Sequence, residues 1–293
     1  MASWFCISPR LRYNAVNTVP AVSAPLSLHH LTALELSPVE LVDLAAALGC
    51  SHVGLFTCLP PGMATRFPCI HTDEQEAAVA ERLAATGVRV NNAEVFALRG
   101  GEVLADYGAG LDRAARLGAR VATVHLHESS PGLAPALLTD FCDLAASAGL
   151  RAALEFTSFS AVRSLYTALQ MLESIQHPAA CLAIDALHFF RNGGDPADLD
   201  AIPREWVGYL QLCDGPTAPP DDLYHEAVAA RGIPGTGEFP LLELLSGLGP
   251  RVMVDVEVPR EMDRSNGKSA AARAAEAVEA TRNLMRQAGW RWK

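Results

Sequence analysis

Four polar residues end four apolar segments in the second half of the chain, and each carries a side-chain oxygen that can bind a metal ion. They are Glu155, Asp185, Gln211 and Glu257. Burying a carboxylate without a partner is costly, so a charged residue seldom ends an apolar run by chance. Carboxylate and amide oxygens are typical ligands of a divalent cation. The pattern predicts a metal site, provided that the fold brings the four segment ends together.

Strand-like and helix-like segments alternate along the chain at nearly constant intervals. Ser37 followed by Pro38 predicts the start of a helix, and Gly87 predicts the end of another. The predicted strands are residues 26–32, 52–57, 88–95, 120–127, 151–156, 181–187, 206–213 and 251–258. The predicted helices are residues 38–49, 73–86, 104–117, 132–148, 160–175, 196–199, 240–248 and 269–288. Eight strands alternating with helices predict a parallel sheet, and eight is the number that closes a (β/α)8 TIM barrel.

A doubly wound open sheet is the alternative architecture. Such a sheet would carry a glycine-rich phosphate-binding turn after its first strand, and residues 33–37 contain no glycine. Alternation along the fifth strand also favours the barrel. If Glu155 and the small Ala153 face inward, the larger Leu154 faces a shell of helices. We therefore expect the carboxyl ends of the strands to meet on one face, where TIM barrels carry their active sites.

The composition fits one catalytic domain at residues 25–293, preceded by a short N-terminal extension at residues 1–24. The chain has 293 residues, of which 50% are hydrophobic, enough for one large core. A net charge of −10 without a basic patch disfavours nucleic-acid binding. No apolar run is long enough to predict a membrane span. The seven cysteines form no CxxC pair, which indicates a reduced, cytoplasmic protein.

Further residue types at the predicted strand ends complete a pattern. His188 follows Asp185 by three positions, Asp214 follows Gln211 by three, and Asp-Val-Glu-Val spans residues 255–258. A loop at residues 231–238 reads Arg-Gly-Ile-Pro-Gly-Thr-Gly-Glu. Over roughly residues 26–289 this order resembles the xylose-isomerase-like TIM barrels, and more narrowly the sugar phosphate isomerase/epimerase group.

The resemblance implies one divalent metal ion, usually Mn, Mg, Co or Zn, bound by the four strand-end residues Glu155, Asp185, Gln211 and Glu257. Most epimerases of this group have His where this chain has Gln211. A neutral amide oxygen is a harder ligand than imidazole, so we expect Mn or Mg rather than Co or Zn. Gln at this position also resembles the 3-dehydroshikimate dehydratases of the same superfamily, which eliminate water.

The resemblance also implies roles for individual residues. Glu155 and Glu257 would be the catalytic acid and base, and His188 would help to hold or polarise the substrate. Arg231 would bind an anionic or hydroxyl end of the substrate, because its planar fork donates two parallel hydrogen bonds. The remaining substrate-binding candidates at strand ends are Glu94 and His127.

Several functions fit this set of residues. The first is a metal-dependent isomerase or epimerase that moves an α-proton of a sugar or a related polyol or keto substrate. The second is a dehydratase of the 3-dehydroshikimate or inosose type, and the third is a barrel that only binds a ligand. A DNA-repair endonuclease of this superfamily would need more His ligands and a basic groove. We expect a small carbohydrate or cyclic keto acid as substrate, no nucleic-acid or membrane partner, and a homo-oligomer as in many family members.

Overall fold

Eight parallel strands close into a barrel in this computed structural model, which describes residues 26–60, 63, 66–101 and 104–291. Each strand pairs with the next one along the chain, and the last pairs with the first. The strands are β1 Leu26–His29, β2 His52–Phe56, β3 Arg89–Leu98, β4 Val121–Leu126, β5 Arg151–Glu155, β6 Ala180–Asp185, β7 Val207–Leu212 and β8 Val254–Val256. The predicted single (β/α)8 barrel is confirmed. The predicted extension at residues 1–24 lies outside the described residues.

The helices cover the outside of the barrel. They are α1 Pro38–Ala47, α2 Asp73–Thr86, α3 Gly108–Arg116, α4 Leu133–Ser147, α5 Leu165–Ile175, α6 Ala186–Arg191, α7 Leu223–Ala229, α8 Leu241–Leu248, α9 Glu261–Ser265 and α10 Ala270–Gln287. The side chain of Ser37 accepts a hydrogen bond from the Glu40 amide and starts α1, as the Ser-Pro pair predicts. Gly87 ends α2 in the left-handed conformation, with φ of 74°.

Strand β8 is five residues shorter than the predicted 251–258, and α5 begins at Leu165 rather than at residue 160. The departure that bears on the site follows β6. The strand ends at Asp185, and α6 begins at the next residue, because Asp185 accepts hydrogen bonds from the amides of Leu187 and His188 and caps the helix. The helix predicted at residues 196–199 is a 3-10 helix, Pro196–Ala201. Helices α7 and α9 were not predicted, since each spans two turns or fewer and shows no clear period.

Two apolar layers form the core. The barrel interior is filled by Val121, Ala153, Cys181, Ala183, Tyr209 and Met253. Leu154, Ile184 and Leu210 belong to the larger cluster between strands and helices, as the alternation along the strands predicts. The interior also holds polar groups around Gly54. A Cβ atom at Gly54 would lie 2.7 Å from the His29 ring and 2.8 Å from oxygens of Asn92 and Asp255, so only glycine fits there.

None of the helices in the described part of the chain combines the length and apolar character that a bilayer crossing requires. No disulfide joins the six cysteines within the described residues. The reduced, cytoplasmic setting stays a prediction.

Candidate active site

A cavity of about 410 Å³ opens at the carboxyl ends of the barrel strands. Its polar floor is formed by Glu94, His125, His127, Glu155, His188, Gln211, Arg231 and Glu257. Its apolar wall includes Phe56, Phe67, Phe159, Tyr224 and Val228. The volume suits a small organic ligand. Seven of the eight site residues predicted from the sequence line this cavity. The eighth, Asp185, is fully buried and contacts two of the lining residues, His188 and Arg231.

Glu155, Asp185 and His188 form a cluster whose ligand atoms lie within 4.8 Å of one another. Glu155 ends β5 and Asp185 ends the neighbouring β6. The Oδ1 atom of Asp185 accepts hydrogen bonds from the Leu187 amide at 2.6 Å and the His188 amide at 3.2 Å. This cap turns the chain sharply, so that His188 Nε2 lies 4.0 Å from Glu155 Oε1. The early start of α6 therefore completes a set of donors that suits a metal ion.

Arg231 connects the predicted ligands Asp185 and Glu257. One terminal nitrogen of its guanidinium lies 2.6 Å from Asp185 Oδ2, and the other lies 2.8 Å from Glu257 Oε1. Its Nε donates to the Ala227 carbonyl at 2.7 Å. Burial raises the pKa of Asp185, but the charges of Arg231 and His188 and the hydrogen bonds from both residues together outweigh burial and hold that pKa below its usual value. Sequence reasoning placed Arg231 at the substrate. That role stays a prediction, and the structure shows that Arg231 pairs with two of the predicted metal ligands.

The loop that carries Arg231 is organised by Asp214. One carboxylate oxygen of Asp214 accepts hydrogen bonds from the amides of Gly235 and Gly237, and the other accepts from Gly215 and Phe239. A Cβ atom at Gly237 would lie 2.5 Å from the Gly215 carbonyl oxygen. The Pro-Gly-Thr-Gly segment after Arg231 is therefore a tight turn around a buried carboxylate. The sequence contained both parts of this arrangement but not their contact.

His125, which was not among the predicted site residues, contacts Glu155 directly, whereas His127 was the histidine of β4 predicted to bind substrate. Its Nε2 lies 2.8 Å from Glu155 Oε2. Burial lowers the pKa of His125, but the Glu155 charge and hydrogen bond outweigh burial and raise it above its usual value. His127 also lines the cavity, with its ring centre 6.2 Å from that of His125.

Glu94 lies beneath the cavity as the acceptor of a buried hydrogen-bond network. It accepts from His29 Nε2 at 2.9 Å, from the Tyr209 hydroxyl at 2.9 Å and from Gln211 Nε2 at 3.2 Å. Asn92 also donates to it. Burial opposes the charge on Glu94, yet His29 and these donors lower its pKa below the usual value. Glu94, predicted to bind substrate, therefore also orients the amide of Gln211.

His29, at the end of β1, is a residue of the site that sequence reasoning missed. Its ring lies 2.9 Å from Glu94 and 3.7 Å from Glu257. Burial lowers the pKa of His29, but these carboxylates raise it to about 10. The Leu31 amide donates a hydrogen bond to His29 Nδ1 at 3.2 Å, and this contact opposes protonation of Nδ1. The signal in the sequence that could have identified His29 was a pair of histidines, His29 and His30, at the end of an apolar strand.

The donor set fits a divalent cation. Four carboxylates of the site, those of Glu94, Glu155, Asp185 and Glu257, are buried, and the buried Arg231 pairs with two of them, Asp185 and Glu257. Burial raises the pKa of Glu257 well above its usual value even beside Arg231 and His29. Three buried atoms of the predicted site also have no hydrogen-bond partner: His188 Nδ1, Gln211 Oε1 and Glu257 Oε2. The ligand set predicted from the sequence stays a prediction, and His188 offers an additional donor.

The comparisons agree with this architecture. The sequence matches the family model described as xylose isomerase-like TIM barrel over residues 42–284. The structure is similar to a xylose isomerase domain protein from Alicyclobacillus acidocaldarius subsp. acidocaldarius, with 24% identity, a TM-score of 0.71 and coverage of 90% of this chain and 99% of that chain. It is similar to the IolI protein with a bound zinc atom, at 18% identity, a TM-score of 0.72 and coverage of 90% and 98%. It is also similar to AsbF from Bacillus anthracis, a probable 3-DHS dehydratase involved in petrobactin synthesis, at 15% identity, a TM-score of 0.68 and coverage of 88% and 99%. No curated protein matches the chain.

Proposed function

The chain belongs to the xylose isomerase-like TIM barrel family, and on that premise we propose that it is a divalent-metal-dependent isomerase or epimerase of a sugar or a related polyol or keto compound. One observation carries the proposal. Glu155 and Glu257 line the same cavity from β5 and β8, with β6 and β7 between them in the barrel. Two acid-base groups that approach a ligand from separated strands can act on opposite sides of one carbon atom.

A divalent ion would be held by Glu155, Asp185, Gln211 and Glu257, and when bound it would supply Lewis acidity toward a carbonyl oxygen of the substrate. The amide oxygen of Gln211 favours Mn or Mg, whereas the His188 nitrogen also suits Co or Zn. The unpartnered Gln211 Oε1 supports its place in this set, because its amide nitrogen is already bonded to Glu94.

The residues of the chain would divide the proton transfer between them. Glu155, which accepts the His125 hydrogen bond, would remove the α-proton. Glu257 would return it on the other side, held in position by Arg231. His188 would orient a substrate hydroxyl. The Phe159 and Tyr224 rings, in edge-to-face contact at 5.5 Å, would exclude water from the floor.

A dehydratase is the second candidate. Two observations favour it: Gln211 replaces the usual His, and the wall of the cavity is apolar on the side of Phe159, Phe56 and Phe67. An apolar wall suits the flat, conjugated ring that loss of water creates. In this case Glu257 would protonate the leaving hydroxyl instead of the carbon atom.

One experiment separates these functions. The purified protein with Mn²⁺ or Mg²⁺ is incubated in deuterated water with ketoses, inososes and 3-dehydroshikimate. Deuterium at the α-carbon without new ultraviolet absorbance supports the isomerase or epimerase, and a new absorbance supports the dehydratase. Ligand binding without either signal would show a non-catalytic barrel and refute both proposals. Glu155→Gln should lose the signal, and Glu279→Gln, an exposed position on α10, should keep it.

A further inference from the structure

A second cavity, of about 560 Å³, opens at the amino ends of the strands, at the opposite end of the barrel from the candidate active site. Four arginines line it, and we call them the basal arginines: Arg120, Arg151, Arg204 and Arg251. They precede or begin β4, β5, β7 and β8. The one acidic residue in the lining is Glu205. The cavity therefore carries a local positive charge in a protein whose net charge is −10.

Two of the basal arginines are fixed by neutral backbone groups. Arg151 donates to the carbonyls of Ala180 and Glu205, at 3.0 and 2.6 Å. Arg204 donates to the carbonyls of Gly247 and Leu248, at 2.8 and 2.9 Å. Carbonyl oxygens orient a guanidinium without neutralising its charge. These two side chains are therefore held in place while their positive charge remains available to a ligand.

The other two basal arginines stand at the rim of this cavity. Arg120 and Arg251 are exposed, and across the described residues neither side chain has an ion pair or hydrogen bond. Burial lowers the pKa of His52 to about 4, and the charges of Arg89 and Arg120 lower it further.

Elsewhere in the described chain, arginine side chains that are almost fully buried have carboxylate partners; of the basal arginines, Arg151 is half-buried and the other three are exposed. Arg231 pairs with Asp185, and Arg191 pairs with Glu226. None of the basal arginines has such a partner among the described residues. Residues 1–25 contain no Asp or Glu, so that segment has no side-chain carboxylate to supply. Four like charges around one cavity repel one another, and an anion would relieve that repulsion.

We propose that this basal cavity is an anion site for a phosphate group, either inorganic phosphate or a small phosphate ester. The planar guanidinium fork donates two parallel hydrogen bonds and matches the oxygens of a phosphate. The cavity is larger than one phosphate, and Val121, Val207 and Met253 add apolar lining beside which the carbon part of an ester can lie. The site lies apart from the proposed catalytic residues and is independent of the proposed reaction.

The test is calorimetric titration of the whole metal-loaded protein with inorganic phosphate and, separately, with glycerol 3-phosphate, at constant ionic strength set with NaCl. Arg120→Gln/Arg251→Gln is compared with Arg264→Gln/Arg286→Gln, a pair with the same charge change on α9 and α10. We expect about tenfold weaker binding for each basal arginine removed and unchanged binding in the control pair. Stronger binding of glycerol 3-phosphate than of phosphate would identify an ester site, and equal or weaker binding would identify an inorganic phosphate site.

Two results would overturn the proposal: absence of phosphate binding to the wild type, or equal binding in Arg120→Gln/Arg251→Gln. Because both side chains are exposed and form no hydrogen bond or ion pair with the described residues, we expect this variant to fold normally. Its melting temperature tests that expectation. A second variant, Arg120→Lys/Arg251→Lys, keeps the charge and removes the fork. It should bind phosphate more weakly than the wild type and more strongly than the Gln pair. Turnover should be equal in all of these variants.

Discussion

Arg231→Met tests the electrostatic balance of the candidate site. The side chain of Arg231 is 3% exposed and pairs with Asp185 and Glu257 at 2.6 and 2.8 Å. Methionine fills a similar volume but leaves both carboxylates without their cation. Removing one partner of a buried ion pair destabilises a protein by about 3–5 kcal/mol. We therefore expect the metal-free variant to lose about 3–5 kcal/mol in its free energy of unfolding.

The matched control is Arg191→Met. Arg191 is also 3% exposed and pairs with Glu226 at 2.6 Å, but Glu226 is not among the residues that line the active-site cavity. The control should lose about the same free energy of unfolding as Arg231→Met. For a chain of 293 residues the unfolding entropy is about 0.6 kcal/mol/K, so both melting temperatures should fall by about 5–8 °C.

Mn²⁺ should distinguish the two variants. The proposed metal ion would share Asp185 and Glu257 with Arg231, and loss of the guanidinium removes a positive charge beside it. We expect Mn²⁺ to bind at least about tenfold more tightly to Arg231→Met than to the wild type, and to restore part of its stability. Arg191→Met should respond to Mn²⁺ as the wild type does.

The measurement is urea unfolding with EDTA and with added Mn²⁺, together with calorimetric titration of the metal. A loss below about 1 kcal/mol in Arg231→Met, the upper end of the usual range for an exposed pair, would refute the buried ion pairs. Equal Mn²⁺ affinity in Arg231→Met and the wild type would refute the shared site. Acid adds a further check. The lowered pKa of Asp185 means that its stabilisation is present above about pH 4 and is lost as pH falls through the folded pKa. Arg231→Met should lack this component.

Three further predictions follow from single contacts. Glu155→Gln should lower turnover of the substrate found by the deuterium screen by about 10²–10⁴-fold, with little change in melting temperature. Retained turnover would contradict the proton-transfer role of Glu155. Asp214→Asn should lower the free energy of unfolding, measured in urea, by about 2–3 kcal/mol and should raise KM. The reason is that Asp214 accepts hydrogen bonds from four backbone amides in the loop that carries Arg231. An unchanged KM would show that this loop does not contribute to substrate binding. Burial lowers the pKa of His30 to about 4, so His30 is neutral when folded and protonated when unfolded between pH 4 and 6.5. The free energy of unfolding should therefore fall by up to about 3 kcal/mol as pH drops through that window. Urea unfolding at a series of pH values should show a weaker pH dependence for His30→Asn than for the wild type. Parallel pH curves for the two proteins would show that His30 does not cause the dependence.

Local sequence patterns predicted most of the barrel, because the period of each strand and helix is a property of neighbouring residues. The capping pair at Ser37 and Pro38 predicted the start of α1, and Gly87 predicted the end of α2. Prediction was weakest where a tertiary contact ends an element. Asp185 stops β6 two residues early by capping α6, and the short helices α7 and α9 depend on packing rather than on a period of their own.

The sequence by itself determined which polar groups end the apolar strands, and eight parallel strands leave those ends only one common face. Closure of the barrel decided which groups touch. His29 and Glu257 are far apart along the chain, yet they meet at 3.7 Å because β1 pairs with β8. Arg231 reaches two strand ends at once because its loop folds around Asp214. Such contacts depend on long-range geometry that no local period encodes, so only the tertiary structure showed that the four strand ends share their site with a buried guanidinium.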